Sequence, residues 1–144
     1  MSWARASWRG ISLHLLVVAG GLAAGVACGQ PASVFLEDFT SPELAAAVKA
    51  GKTTALVPVG GTEQNGAHMV LGKHNVRVKA LADKVARTLG DALVAPVIAY
   101  VPEGGVNPPT GHMRYPGTLT VPADAYRKVL ASAARSLRQA GFRD

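Results

Sequence analysis

Thr53-Thr54-Ala55-Leu56-Val57-Pro58-Val59 runs through Gly60-Gly61 into Thr62-Glu63-Gln64-Asn65-Gly66-Ala67-His68-Met69-Val70-Leu71-Gly72-Lys73-His74-Asn75, and these residues decide how the chain folds. The first seven are apolar or β-branched without polar alternation. That pattern predicts a buried parallel strand over residues 53–59, with Pro58 near its end because proline donates nothing to a ladder. Past Asn75 the period changes. Val78, Leu81, Ala82, Val85 and Leu89 recur at helical spacing and Gly90 stands where a cap belongs, so an amphipathic helix is predicted over residues 75–89. The loop between strand and helix holds one carboxylate, two imidazoles and two Asn. A loop at the C-terminal end of a strand is where open α/β sheets keep their chemistry.

The same alternation extends in both directions. Upstream, Ser41-Pro42-Glu43 reads as a helix start, with Ser as N-cap, Pro at the first helical position and a carboxylate near the positive helix end, and Gly51 closes the helix. Downstream, residues 92–99 read as a second strand. A Gly/Pro-rich stretch over residues 102–117 follows, longer than a turn requires, and loops of that length are functional or disordered. Pro122 and Asp124 open a last helix with Tyr126, Val129, Leu130, Ala133 and Leu137 on one face and Gly141 past its end. Strand, helix, strand, helix predicts a parallel sheet with right-handed crossovers. Phe142-Arg143-Asp144 stands where the chain would re-enter that sheet. Two strong strands are few for a parallel sheet covered on both faces, so the expectation is the N-terminal part of a longer enzyme.

With 144 residues, 49% of them apolar, and a mean hydropathy of +0.20, the composition suits one compact domain and argues against disorder. Arg5 and Arg9 precede an apolar run over residues 11–27 that ends in small residues, the plan of a secretory signal peptide over residues 1–27. The run is short for a membrane span and Gly20, Gly21 and Gly25 weaken it further, so no membrane span is expected. Gly25-Val26-Ala27-Cys28 resembles a bacterial lipoprotein cleavage box. The protein is therefore expected to be exported, either periplasmic or held at the cell envelope by a lipid anchor at Cys28. Cys28 is the sole cysteine, which excludes an internal disulfide and a thiolate zinc site. The formal net charge of +6 loses two positive charges with Arg5 and Arg9. The remaining Lys and Arg are scattered without an aromatic ladder, so no nucleic-acid partner is expected.

Carboxylate and neutral imidazole are the side chains that best serve zinc-like divalent ions, which makes Glu63, His68 and His74 candidates. Each has a plainer reading as well. Glu63 can accept backbone N–H groups, His74 can cap the helix, and His68 and His112 can be hydrogen-bonded structural residues. Gly60-Gly61-Thr62 and Glu103-Gly104-Gly105 lack the Lys and spacing of a phosphate loop and read as turns.

Two segments together carry a resemblance. Pro58-Val59-Gly60 followed by Glu63-Gln64-Asn65-Gly66-Ala67-His68-Met69-Val70-Leu71-Gly72-Lys73-His74 resembles the creatininase (creatinine amidohydrolase) hallmark, a strand ending Pro-Val-Gly and then Glu-Gln-His-Gly-Pro-His-Leu-Pro-Leu-Gly-x-Asp. His112-Met113-Arg114-Tyr115-Pro116-Gly117-Thr118 matches a second signature of that family, and the resemblance covers residues 34–144. It implies an α/β fold of three layers, α/β/α, with a mainly parallel sheet, and a metal site on Glu63, Asn65 and His74. In the family the last two positions are His and a bridging Asp that together serve two ions. Asn65 and His74 suit one ion better than two, Zn2+ in the first place and Mn2+ in the second. The implied function is metal-dependent hydrolysis of an amide or cyclic-amide C–N bond in a small molecule. His68 would move protons or hold a ligand in place, and His112 would orient substrate. A homo-oligomer is the expected assembly. The alternative is a non-catalytic exported binding protein that keeps the fold without a dinuclear centre.

If the leader is cleaved as its pattern implies, mass spectrometry of protein recovered from the producing cell will show a mature chain starting near Cys28. A diacyl mass on Cys28 selects the lipoprotein route, and a retained Met1 refutes cleavage.

Overall fold

The computed structural model describes residues 33–144; the expected signal peptide over residues 1–27 and the expected lipid anchor at Cys28 lie outside the described residues. Strands β1 (Thr54–Leu56) and β2 (Ala92–Val94) pair in parallel, with Thr54 beside Ala92, Ala55 beside Leu93 and Leu56 beside Val94. Successive strand side chains point to opposite faces, and the two faces of β2 meet different helices. Ala92 and Val94 pack with Ala82 and Ala86 of α2 (Lys73–Leu89). Leu93 packs with Ala47 of α1 (Ser41–Lys49) and with Phe142, joined by Leu137 of α3 (Ala123–Gln139). The three expected layers are present, α2 on one face and α1 and α3 on the other.

β1 and β2 differ in burial. All of β2 is buried, whereas β1, expected to be covered on both faces, is only half-buried along its length. The reason lies at the sheet edges. Beyond β2, Val34 and Phe35 add a parallel partner, and the Val94 N–H donates to the Val34 carbonyl at 2.8 Å. Beyond β1, Arg143 N–H donates to Thr53 O at 2.8 Å and Ala55 N–H to Asp144 O at 2.7 Å. Backbone groups alternate sides along a strand, so these bonds fall on the β1 edge away from β2. They cover its first half only. The apolar stripe of α2 is divided accordingly. Ala82 and Ala86 are buried, while Leu81, Val85 and Leu89 stand beyond the covered part of the sheet and are exposed.

Both strands are shorter than the apolar runs at residues 53–59 and 92–99 predict. The ladder breaks where Pro58 lacks the N–H that would face β2, and it resumes at a bridge between Val59 and Ile98 with one extra residue on the β2 side. Ile98 N–H donates to Pro58 O and Gly60 N–H to Ile98 O, each at 2.9 Å. The helix ends differ slightly from their sequence signals. Thr40, not Ser41, caps α1, and the Glu43 carboxylate accepts from both the Thr40 N–H at 2.8 Å and its hydroxyl at 2.6 Å. That capping box holds the Glu43 carboxyl below its usual range, chiefly through the hydroxyl bond. α2 begins at Lys73, two residues before the predicted start, so Asn75 lies in its first turn. No described helix is long and apolar enough to cross a membrane.

Phe142 is 4% exposed and closes the core beneath Leu93. Phe142→Ala is expected to cost about 3–5 kcal/mol in chemical unfolding. Leu81→Ala, at a site 56% exposed, should cost no more than about 0.5 kcal/mol.

Candidate metal centre

Beyond the Val59–Ile98 bridge the chain leaves β1 as a loop that α2 holds from below. Asn75 Oδ1 accepts from Gly61 N–H at 2.9 Å, and its Nδ2 donates to Thr62 Oγ1 at 3.2 Å. A Cβ on Gly60 would stand 2.0 Å from that Oδ1, so only glycine lets the loop come this close. The second signature holds the loop from above. Thr118, a buried polar residue, accepts from Gln64 N–H at 3.2 Å and donates its hydroxyl to His112 O at 2.9 Å, while Leu119 N–H donates to Thr62 O. Gly117, at φ +87°, leaves room for Leu71, whose Cδ1 would lie 2.4 Å from an added Cβ. The two sequence signatures are thus one hydrogen-bonded unit.

Within it Glu63 is the centre. Its side chain is 12% exposed, with Oε1 2.9 Å from His74 Nε2 and Oε2 3.4 Å from His112 Nδ1. Glu103 joins from the long loop, which is tied down by Glu103 N–H to Thr120 Oγ1 at 2.9 Å and His112 N–H to Glu103 O at 3.2 Å. A Cβ at Gly61 would meet Glu103 Oε1 at 2.9 Å, so the bare backbone of Gly61 makes room for that carboxylate. Ligand atoms of Glu63, Glu103 and His112 all lie within 4.8 Å of one another. Burial pushes the Glu103 carboxyl up to about 7, assisted by the hydrogen bond to Glu63 and by the Glu63 charge, with His112 opposing. The bond from Glu103, with help from His112 and His74, holds Glu63 below its usual range against burial. Near pH 7 the pair is therefore about half-protonated, with at most one proton between the two carboxyl groups.

The hydrogen bonds also assign the rings and the amide. His112 Nδ1 faces the Gln64 carbonyl at 3.1 Å as well as Glu63, both of them acceptors, so Nδ1 carries the proton and the Nε2 lone pair is open. Asn65 Oδ1 accepts from Lys73 Nζ at 2.6 Å, which leaves its Nδ2 to donate to Glu63 O at 3.0 Å. His74 Nε2 faces Asn65 Oδ1 at 3.1 Å as well as Glu63 Oε1, so it too is a donor.

Of the sequence candidates, Glu63, Asn65, His74 and His112 come together. His68 does not; it sits exposed on a turn with no hydrogen-bonding partner among the described residues. The grouping also differs from the expected Glu63, Asn65 and His74. Both lone pairs of the Asn65 oxygen are engaged, by Lys73 and His74, and His74 points a proton, not a lone pair, at Glu63. Glu103 was not among the candidates. Its signal was present, because it is the one carboxylate between Asp91 and Asp124 and lies in a stretch too long for a turn. A converging pair of carboxyl groups that resist ionising together, next to an imidazole, fits a divalent ion. The ion would replace the shared proton with charge of the right sign, and the O, O, N donor set suits zinc or manganese.

Known proteins are similar to this chain in sequence and structure. A creatinine amidohydrolase of Pseudomonas putida is 31% identical over 111 residues, covering 77% of this chain and 42% of its own. A mycofactocin precursor peptide peptidase of Mycolicibacterium smegmatis is 36% identical over 86 residues, covering 56% of this chain and 32% of its own. A solved structure of creatininase with Mn superposes with a TM-score of 0.69 at 31% identity, over 77% of this chain and 42% of that one. The chain thus spans less than half the length of these relatives. The family model for creatinine amidohydrolase matches residues 37–144, and with it the chain belongs to the creatininase family.

Proposed function

We propose that this chain carries part of the active centre of a metal-dependent amidohydrolase that cleaves an amide or cyclic-amide C–N bond. The convergence of Glu63, Glu103 and His112 is the observation that carries the reading. These three residues would hold one divalent ion, Zn2+ or Mn2+. When bound, such an ion lowers the pKa of water towards about 7 and polarises a carbonyl. The chain's own groups supply the rest. His74 holds Glu63 Oε1 through its Nε2 proton and so turns Oε2 towards His112 and Glu103. Gln64 O and Glu63 hold the His112 ring through Nδ1, and that nitrogen would shed its proton on binding the ion. Glu103 titrates near 7, where a carboxyl can give a proton to a departing amine or receive one from water at neutral pH. The peptidase relative favours a second substrate class, a peptide bond, which the same chemistry would cleave. The basic and apolar leader supports work outside the cytoplasm.

Calorimetric titration with Mn2+ and Zn2+ is expected to give binding that Glu63→Gln abolishes and that His74→Ala weakens about 10–100-fold, because His74 orients a ligand. Unaltered affinity in Glu63→Gln sinks the assignment. Hydrolysis of cyclic amides compared with short peptides by the metal-loaded full-length enzyme distinguishes the two substrate classes.

A pH dependence follows from Glu103. Its folded pKa of about 7 exceeds the ordinary 4.5, so between these values the folded chain keeps a proton that the unfolded chain has released. The stability Glu103 contributes is complete below about 4.5 and is lost as pH rises through about 7. The metal-free protein should therefore show a thermal midpoint that falls over that window, and Glu103→Gln should flatten the slope. Metal affinity should rise over the same window, with a proton released on binding.

A further inference from the structure

Lys73 is a charge that the scheme above does not use. It is half-buried in the first turn of α2, and its ammonium donates to the neutral Asn65 amide at 2.6 Å. Among the described residues it makes no ion pair, although salt bridges form elsewhere on α2 and α3. Asn65 passes the contact on. Its Oδ1 also accepts the His74 Nε2 proton, and that proton is shared with Glu63 Oε1. The two Glu63 oxygens consequently face unlike surroundings. Oε2 looks towards His112 and Glu103, where a second carboxyl group converges and a proton is shared. Oε1 looks towards His74, Asn65 and Lys73, where the imidazole and the ammonium point protons inwards and the amide oxygen has no lone pair left.

We infer that Lys73 is the centre's built-in cation: with Asn65 and His74 it fills the Oε1 side of Glu63 and restricts the centre to a single divalent ion on the Oε2 side. This rests on the metal reading above. An ammonium is a compact, strongly hydrated point charge on a flexible stem, and in a half-buried loop its field on a nearby divalent ion is poorly screened. A second metal ion on the Oε1 side would have to displace Lys73 from the amide oxygen and strip the proton from His74. Lys73 also opposes the first ion, which keeps the affinity for that ion moderate.

The test is titration of the full chain with Mn2+ by calorimetry, with the bound metal counted by elemental analysis, for the wild type, Lys73→Arg and Lys73→Met. The wild type and Lys73→Arg should each take one equivalent with matching affinity. Lys73→Met, nearly the same length without the charge, should bind its first ion about tenfold more tightly. A purely structural Lys73 would produce the opposite sign, since loosening Asn65 and His74 weakens the ion while lowering the thermal midpoint. Unchanged or weaker binding in Lys73→Met, or two equivalents in the wild type, overturns this inference and leaves the hydrolase reading intact. A wild type that binds no ion overturns both.

Discussion

The bridge between Val59 and Ile98 is the contact on which the rest of the site depends. Up to Leu56 and Val94 the two strands run in even register, and Pro58 then interrupts the ladder. Had the chains separated there, the Glu63 loop and the Glu103 loop would have left the sheet independently. Instead Ile98 N–H and Gly60 N–H each recover a partner one step further on, with an extra residue absorbed on one side. That local mismatch steers both loops to the same end of the sheet, where Asn75 holds the first to α2 and Thr118 ties the two together.

At that end electrostatics dominates over packing. Two carboxylates are brought close in a half-buried setting where ionising both is costly, so one keeps a proton well above its ordinary range. Histidines approach Glu63 from both sides, and neither is left to choose its tautomer, because each faces two acceptors through one nitrogen. The result is an asymmetric carboxylate, with one oxygen set towards His74, Asn65 and Lys73 and the other towards His112 and a second carboxyl group. Replacement of a proton by a divalent ion on the second side relieves the like-charge conflict without moving the backbone.

Much of the architecture was legible in one dimension. The apolar periodicity over residues 75–89 and 122–140 returns as α2 and α3, and the Ser41-Pro42-Glu43 start returns as α1 shifted by one residue at its cap. Strand positions were legible but their lengths were not, because hydrophobicity does not register the one-residue shift by which the pairing resumes at Val59 and Ile98. Which apolar residues of α2 would be buried was equally hidden. Ala82 and Ala86 win over Leu81 and Val85 because the close approach of helix to sheet selects small side chains and β1 has little cover at its outer edge.

The residues themselves determined the parallel α/β class, the position of the chemistry after β1 and the type of donor that would carry it, since these follow from local periodicity and from what carboxylates and imidazoles can do. Only the tertiary structure decided which of those donors converge. Glu63 and Glu103 are far apart in the chain, and no spacing rule links a strand-end loop to the Gly/Pro stretch that follows the next strand. The roles of Asn65 and His74 were likewise set in three dimensions, because a lone pair is free to bind a metal only if no neighbouring donor has already taken it, and here Lys73 has.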